Sequence, residues 1–237
     1  MVTLYSEMST PQRNIYDAYE KEFREFVCAL SGQELDRSSM YVLRGLTRLR
    51  QICNSPALLP DGMLNTAVSA KIELLREQII DKSPYHKIVI FSQFVSMLHQ
   101  IGQMLQEIDV PYVSLTGTTH RRGQVVDAFQ DKPEIRVFLV SLKAGGTGLN
   151  LTAADVVYLV DPWWNPAVEA QAIDRVHRIG QHRDVVAYRL VTPDSVEEKI
   201  LQLQATKSEL AGRLVVPDAS FLKTLNRDRL LELLSGP

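Results

Sequence analysis

Between residues 87 and 191, short apolar runs alternate with stretches of helical periodicity. KIVIF is followed by FVSMLHQIGQMLQEI, YVSL by RRGQVVDAF, and IRVFLV by a glycine-rich loop; DVVYLV, AVEAQAIDRVHRI and VVAYRLV complete the series. No other feature limits the fold as closely, because strands that alternate with helices pair in parallel through crossover connections. The five expected strands are apolar almost throughout rather than at every second residue. Strands of that kind are covered on both faces, so the expected core is an α/β parallel sheet with helices on both faces.

Helical segments flank this core. From Ser9 to Leu30 the chain offers a cap residue, a proline in the first turn, and Ile15, Tyr19, Phe23, Phe26 and Leu30 at helical spacing. A second helical pattern covers roughly Ser39 to Cys53, and NSPALLPDGMLN then interrupts it with prolines and a glycine. A further helix is expected from about Ser69 to Ile80. Beyond the last strand, Ser195 and Glu198 form a capping pattern that opens a closing helix. The expected organisation is a helical preface over 1–65, an α/β lobe over 66–192 and terminal helices over 193–237.

At 237 residues, with 45% apolar and 23% charged side chains, the chain can bury its own core and lies outside the compositional range of disorder. Its longest apolar runs are strand-length, and MVTLYSEMSTPQR lacks the basic-then-apolar layout of a signal peptide. Neither a membrane span nor secretion is expected. Cys28 and Cys53 lie far apart without a CxxC, and the histidines show no HxxxH or HExxH, so a reduced, metal-free intracellular protein is the expectation. A net charge of −2 means that nucleic acid, if bound, must be met by a local basic face.

The loop after IRVFLV carries Gly145, Gly146 and Gly148, which permit a tight turn and close approach of a ligand to backbone amides. It lacks the glycine spacing of a dinucleotide fingerprint, and no glycine in the chain is followed by lysine, so there is no GxxxxGK phosphate loop. A DE dipeptide, the usual source of metal-holding carboxylates, is also missing. A complete phosphoryl-transfer site is therefore not encoded. Further on, Gln171, Arg175 and Arg178 stand at i, i+4 and i+7, within a stripe of about 60° on one face of an expected helix. Ile173, Val176 and Ile179 fall on another face. Two arginines on a helix are often only a solvated surface, and Asp174 is spaced to pair with Arg178. Their position after a strand and a loop favours function instead, since functional groups gather at the carboxyl ends of parallel strands. Arginine's planar, fixed charge suits a transferring phosphoryl group.

In order along the chain, KIVIFSQF, SLKAGGTGLNL, DPWWNP and QAIDRVHRIGQ resemble motif IV, motif V, the tryptophan motif and motif VI of the SWI/SNF-type ATPases. These form the chromatin-remodelling and DNA-translocase branch of helicase superfamily 2. LRQICNSPALL and EEKILQLQATKSEL are similar to further family segments, so the resemblance covers nearly the whole chain. It implies a RecA-like C-terminal lobe with an N-terminal helical protrusion and C-terminal bracing helices. In that family ATP with Mg2+ is held between two lobes, and the first supplies the phosphate loop and the metal-binding carboxylates. The resemblance implies that this chain starts after that first lobe, was cut from a longer protein, and is inactive in hydrolysis by itself.

Carried over residue by residue, Arg175 and Arg178 match the arginines that reach across to the ATP phosphates, and Gln171 matches the motif VI glutamine. Gly146, Gly148 and Asn150 match nucleotide-facing positions. Ser92, Lys143 and Trp164 match positions beside double-stranded DNA, and Arg122 fits a family arginine. Three departures stand out: Asn54-Ser55 for Asn-His, Lys143 where arginine is frequent, and LTGTTH for an aspartate-glycine turn. The implied partners are double-stranded DNA and the N-terminal lobe of the same parent. The implied location is the cytoplasm, at the nucleoid, in a prokaryote or the nucleus in a eukaryote. The competing reading is a stand-alone nucleic-acid-binding or protein-interaction module with this fold; a dinucleotide-binding oxidoreductase fails on the missing fingerprint.

Overall fold

The computed structural model describes residues 1–31, 34, 38–60, 68–144, 149–178, 181–210 and 227–234, the side chains of 206–210 excepted. The chain divides into two compact units. One contains Met1–Tyr5, Lys71–Asp161 and Val168–Val191, and the other contains Ser6–Ala70, Pro162–Ala167 and Thr192–Pro237.

The first unit is built on a parallel sheet. Its strands are β1 (Val2–Tyr5), β2 (Ile88–Ser92), β3 (Tyr112–Leu115), β4 (Val137–Ser141), β5 (Val156–Leu159) and β6 (Val186–Val191), in the order β1-β6-β5-β2-β4-β3. Every residue of β2, β4 and β5 is buried, as the unbroken apolar runs require of strands covered on both faces. The sheet has six strands, not the five expected. The addition is β1, which pairs in register with β6 from Val2↔Tyr188 to Tyr5↔Val191.

Helix α3 (Ala70–Lys82) leads into β2, α4 (Val95–Glu107) joins β2 to β3, and α5 (Arg122–Asp131) joins β3 to β4. The long connection from β4 passes over to β5, and α6 (Pro166–Ile173) then leads towards β6. Two buried lysines fasten the frame. Lys71 donates to the Val160 carbonyl at 2.8 Å, just past β5. Lys87, before β2, donates to the carbonyls of Phe129 and of Lys132, the latter at 2.8 Å, and so binds the last turn of α5. Burial, with Arg136 nearby, holds the Lys87 ammonium below the ordinary lysine pKa.

The second unit is helical: α1 (Thr10–Ala29), α2 (Ser39–Asn54), α7 (Val196–Leu210) and α8 (Arg227–Leu233), with a 3-10 turn over Pro56–Leu58. The amphipathic faces read from the sequence meet in a core of Tyr16, Phe23, Val42, Leu46, Leu49, Ile52, Val196, Ile200 and Leu230. Polar groups inside it are matched to backbone. Gln12 donates to the Ile52 carbonyl at 2.7 Å, and the Tyr16 hydroxyl accepts the first N–H of α7, from Val196, at 2.7 Å. At the start of α7 the Glu198 carboxylate accepts the Asp194 N–H at 2.9 Å, and Ser195 donates to the Thr192 carbonyl at 2.7 Å.

Candidate functional site

The expected site residues separate into groups at the two ends of the sheet. At the carboxyl end, β2 finishes at Ser92, β4 finishes two residues before Lys143, and β3 leads through Thr116–His120 to Arg122 at the start of α5. Since β2, β4 and β3 are consecutive neighbours, these three positions lie along one edge. Lys143 and Arg122 are exposed there, and among the described residues neither side chain has a hydrogen bond or an ion pair. Arg121, before Arg122, has φ 55, a left-handed backbone that non-glycine residues adopt at a cost of about 1–3 kcal/mol. Thr116 supports the same turn by donating its N–H to the Thr119 hydroxyl at 2.8 Å.

Ser92 departs from the expectation. It is fully buried, and its hydroxyl donates to Asp161 Oδ1 at 2.5 Å while accepting the Phe94 N–H at 3.0 Å. The other Asp161 oxygen accepts the Gln93 N–H at 3.1 Å. Ser92 therefore joins the ends of β2 and β5. Asp161, the first residue of DPWWNP, is the partner that sequence reasoning passed over. A carboxylate between an apolar strand and a proline was the available signal.

Trp164 departs too. In the helical unit it is 8% exposed, packed in the apolar cluster with the Arg50 guanidinium 4.9 Å from its ring centroid. Arg50 is itself buried and donates to the Pro162 carbonyl. An indole covered in this way lies in the apolar core of the helical unit. Trp163 is 7% exposed.

The arginine segment is also placed differently from the expectation. Helix α6 stops at Ile173, so Arg175 and Arg178 do not continue a helix as the periodicity predicts. The Arg175 carbonyl accepts the Leu151 N–H at 3.0 Å, and the Val176 carbonyl accepts the Gln181 side-chain amide at 3.3 Å. These bonds carry the segment to the residues just before β5, since Gln181 also donates to Thr152 and Ala154 carbonyls at 3.1 and 2.7 Å. The arginine turn thus lies by the amino end of β5 and not at the carboxyl edge where it was expected.

Within this turn Arg175 is half-buried, and its Nε donates to the Gln171 carbonyl at 3.2 Å. Burial lowers its pKa from the ordinary arginine value, and no described carboxylate pairs with it. Arg178 and Gln171 are exposed, and Asp174 makes no ion pair with Arg178 among the described residues. Val176 is fully buried and anchors the turn. Asn150 is exposed nearby, its carbonyl accepting from Gln130 at 3.2 Å. Gly146 and Gly148, with Gly145 and Ile179, lie outside the described residues.

The family model for the helicase conserved C-terminal domain matches residues 70–180. An uncharacterized ATP-dependent helicase of Mycoplasma pneumoniae is 34% identical over 233 residues, which are 97% of this chain and 22% of that protein. The chain thus spans about a fifth of the length of that curated relative. Among solved structures, the Sulfolobus solfataricus SWI2/SNF2 ATPase core in complex with double-stranded DNA superposes with a TM-score of 0.80 at 29% identity, covering 100% of this chain and 50% of that one. The separate C-terminal domain of the Sulfolobus solfataricus SWI2/SNF2 ATPase superposes with a TM-score of 0.77 at 27% identity, covering 100% of this chain and 98% of that one. The matched domain, the helicase relative and the two superpositions agree: the chain belongs to the SWI2/SNF2 family, as its RecA-like C-terminal lobe.

Proposed function

We propose that the chain is the second motor lobe of a DNA-stimulated ATPase, with Arg175 and Arg178 as arginine fingers and Lys143 and Arg122 as contacts to the DNA backbone. One observation carries the reading. Arg175 holds a half-buried guanidinium that no carboxylate among the described residues pairs with, on a turn whose backbone is fixed by Leu151 and Gln181. A cation that is partly desolvated and left without an opposing charge is poised for an anion from outside the chain. A transferring phosphoryl group, with charge spread over its oxygens, suits the planar fork.

Asn150, Gly146 and Gly148 precede in sequence Leu151, whose N–H bonds the Arg175 carbonyl, and are assigned to the nucleotide side. Among the described residues no group of histidine, cysteine, aspartate or glutamate is arranged to hold a metal ion, so Mg2+ is assigned to the first lobe together with most of the ATP contacts. On this reading the chain by itself hydrolyses no ATP, with or without duplex DNA. The deciding experiment measures ATP turnover of the chain alone and of the longer protein containing a preceding lobe, each with and without DNA. Turnover by the longer protein that Arg175→Ala removes supports the motor. Turnover by the isolated chain overturns the half-site, and DNA binding without turnover in either form favours a stand-alone binding module.

A further inference from the structure

The geometry points to Gln181 as a positioning residue for Arg175. Its side chain has two N–H donors and one carbonyl, and all are engaged with backbone. The amide faces three carbonyls, those of Ala154 at 2.7 Å, Thr152 at 3.1 Å and Val176 at 3.3 Å. Its own carbonyl accepts the Arg183 N–H at 2.9 Å, and its backbone N–H donates to Arg178 at 2.9 Å. One side chain therefore joins three stretches: the residues before β5, the arginine turn after α6, and the approach to β6.

Arg175 is held within this weld. Its carbonyl accepts the Leu151 N–H, one residue before Thr152, and Val176 follows it with a fully buried side chain. The guanidinium itself has a single bond, to the last turn of α6. Its position is consequently set by the backbone that carries it, and that backbone is set by Leu151 on one side and Gln181 on the other. Gln181 is near no described carboxylate or cation that would give it a separate task, except through its neighbour Arg183, whose side chain is bound to Asp155 at 3.2 Å. It has no direct role with phosphate, since its donors already point at carbonyls.

The inference rests on the proposed role of Arg175 for its effect on turnover, but its structural half is independent of that role. Two variants separate the donors from the packing. Gln181→Met keeps the volume and removes every side-chain hydrogen bond, whereas Gln181→Glu keeps the acceptor for Arg183 and removes the donors. Amide hydrogen exchange on this chain reads the weld at Leu151. Both variants are expected to exchange there about tenfold faster or more, with β2 and β4 amides as protected as in the unaltered chain.

In the longer protein both variants are expected to lower kcat by on the order of 10²-fold while leaving KM for ATP within about threefold, as misplacement of a transition-state group does. Unaltered exchange at Leu151 in Gln181→Met would assign Gln181 to packing and overturn the proposal. Unaltered exchange in Gln181→Glu would reduce it to the Arg183 contact, and loss of protection throughout β2 and β4 in both would make it a folding residue. Faster exchange with normal kcat would likewise remove Gln181 from positioning. Normal kcat in Arg175→Ala identifies a failure of the arginine-finger reading instead.

Discussion

The arginine turn beside β5 and the carboxyl edge of the sheet both present cations, and they present them in opposite ways. Arg175 is half-buried on a backbone tied from two directions, and its guanidinium is folded back on the last turn of α6. Lys143 and Arg122 extend from the ends of β4 and β3, exposed and without intrachain partners among the described residues. A group that must meet charge as it develops needs a fixed position, because stabilisation depends on tenths of an ångström. A group that meets a DNA phosphate needs reach, because the phosphates repeat and the contact carries no sequence information. The two constructions suit the two proposed tasks.

The largest test of this contrast is Arg175→Ala in the longer protein. DNA-stimulated turnover is expected to fall ~10³-fold or more, the scale of a lost arginine finger, with melting nearly unchanged. Arg175→Lys should recover little, since a point charge lacks the fork. Steady-state kinetics at saturating DNA checks both, and a near-normal kcat in Arg175→Ala removes the distinction between the two regions at its strong end.

Trp164→Ala comes next, because burial moves this residue from the DNA group to the core. Truncating an indole in the apolar cluster of the helical unit, with Arg50 over its ring, is expected to cost about 3–5 kcal/mol of stability. Melting of the variant chain measures that loss. DNA affinity of the folded fraction should stay as it was; a selective loss of DNA binding with normal melting would return Trp164 to the surface role.

A pair of lysines gives the same contrast in miniature. Lys87 is buried and bound to carbonyls at the end of α5, whereas Lys143 is exposed at the opposite end of the sheet. Lys87→Met leaves those carbonyls without their donor and is expected to destabilise the fold by about 1–3 kcal/mol. Lys143→Ala is expected to change stability by less than about 0.5 kcal/mol, as surface substitutions do. Denaturant unfolding of both variants decides whether the two lysines differ in kind.

These placements also show what the sequence could disclose. Unbroken apolar runs located β2, β4 and β5 within a few residues, because strands buried on both faces carry their signal in every position. β1 gave no such signal: VTLY is half-exposed and is defined by pairing with β6, far away in the chain. The end of α6 was illegible for a related reason. Nothing local in IDRVHR stops a helix, and the bonds that tie the segment after it, from Leu151 and Gln181, are set by residues outside that stretch. Motif resemblance located Ser92 and Trp164 but not their burial, which depends on Asp161 and Arg50.

The smallest expected effect tests the flexible end of the comparison. If Lys143 and Arg122 each neutralise one phosphate, each releases about one counterion on binding, so the dependence of log Kobs on log salt should lose about one unit of slope per alanine substitution. Affinity for duplex DNA is expected to fall by about tenfold or less for each, equally for unrelated sequences, since neither group is placed to read base edges. Their effects should add, because neither forms a hydrogen bond or ion pair that the other could disturb. Turnover at saturating DNA should remain near normal, in contrast to Arg175→Ala. The measurement is anisotropy of a labelled duplex between about 50 and 200 mM salt for both single variants and the double variant. An unchanged slope in the double variant would take the carboxyl edge out of DNA contact, and a large fall in kcat at saturating DNA would join it to the catalytic turn.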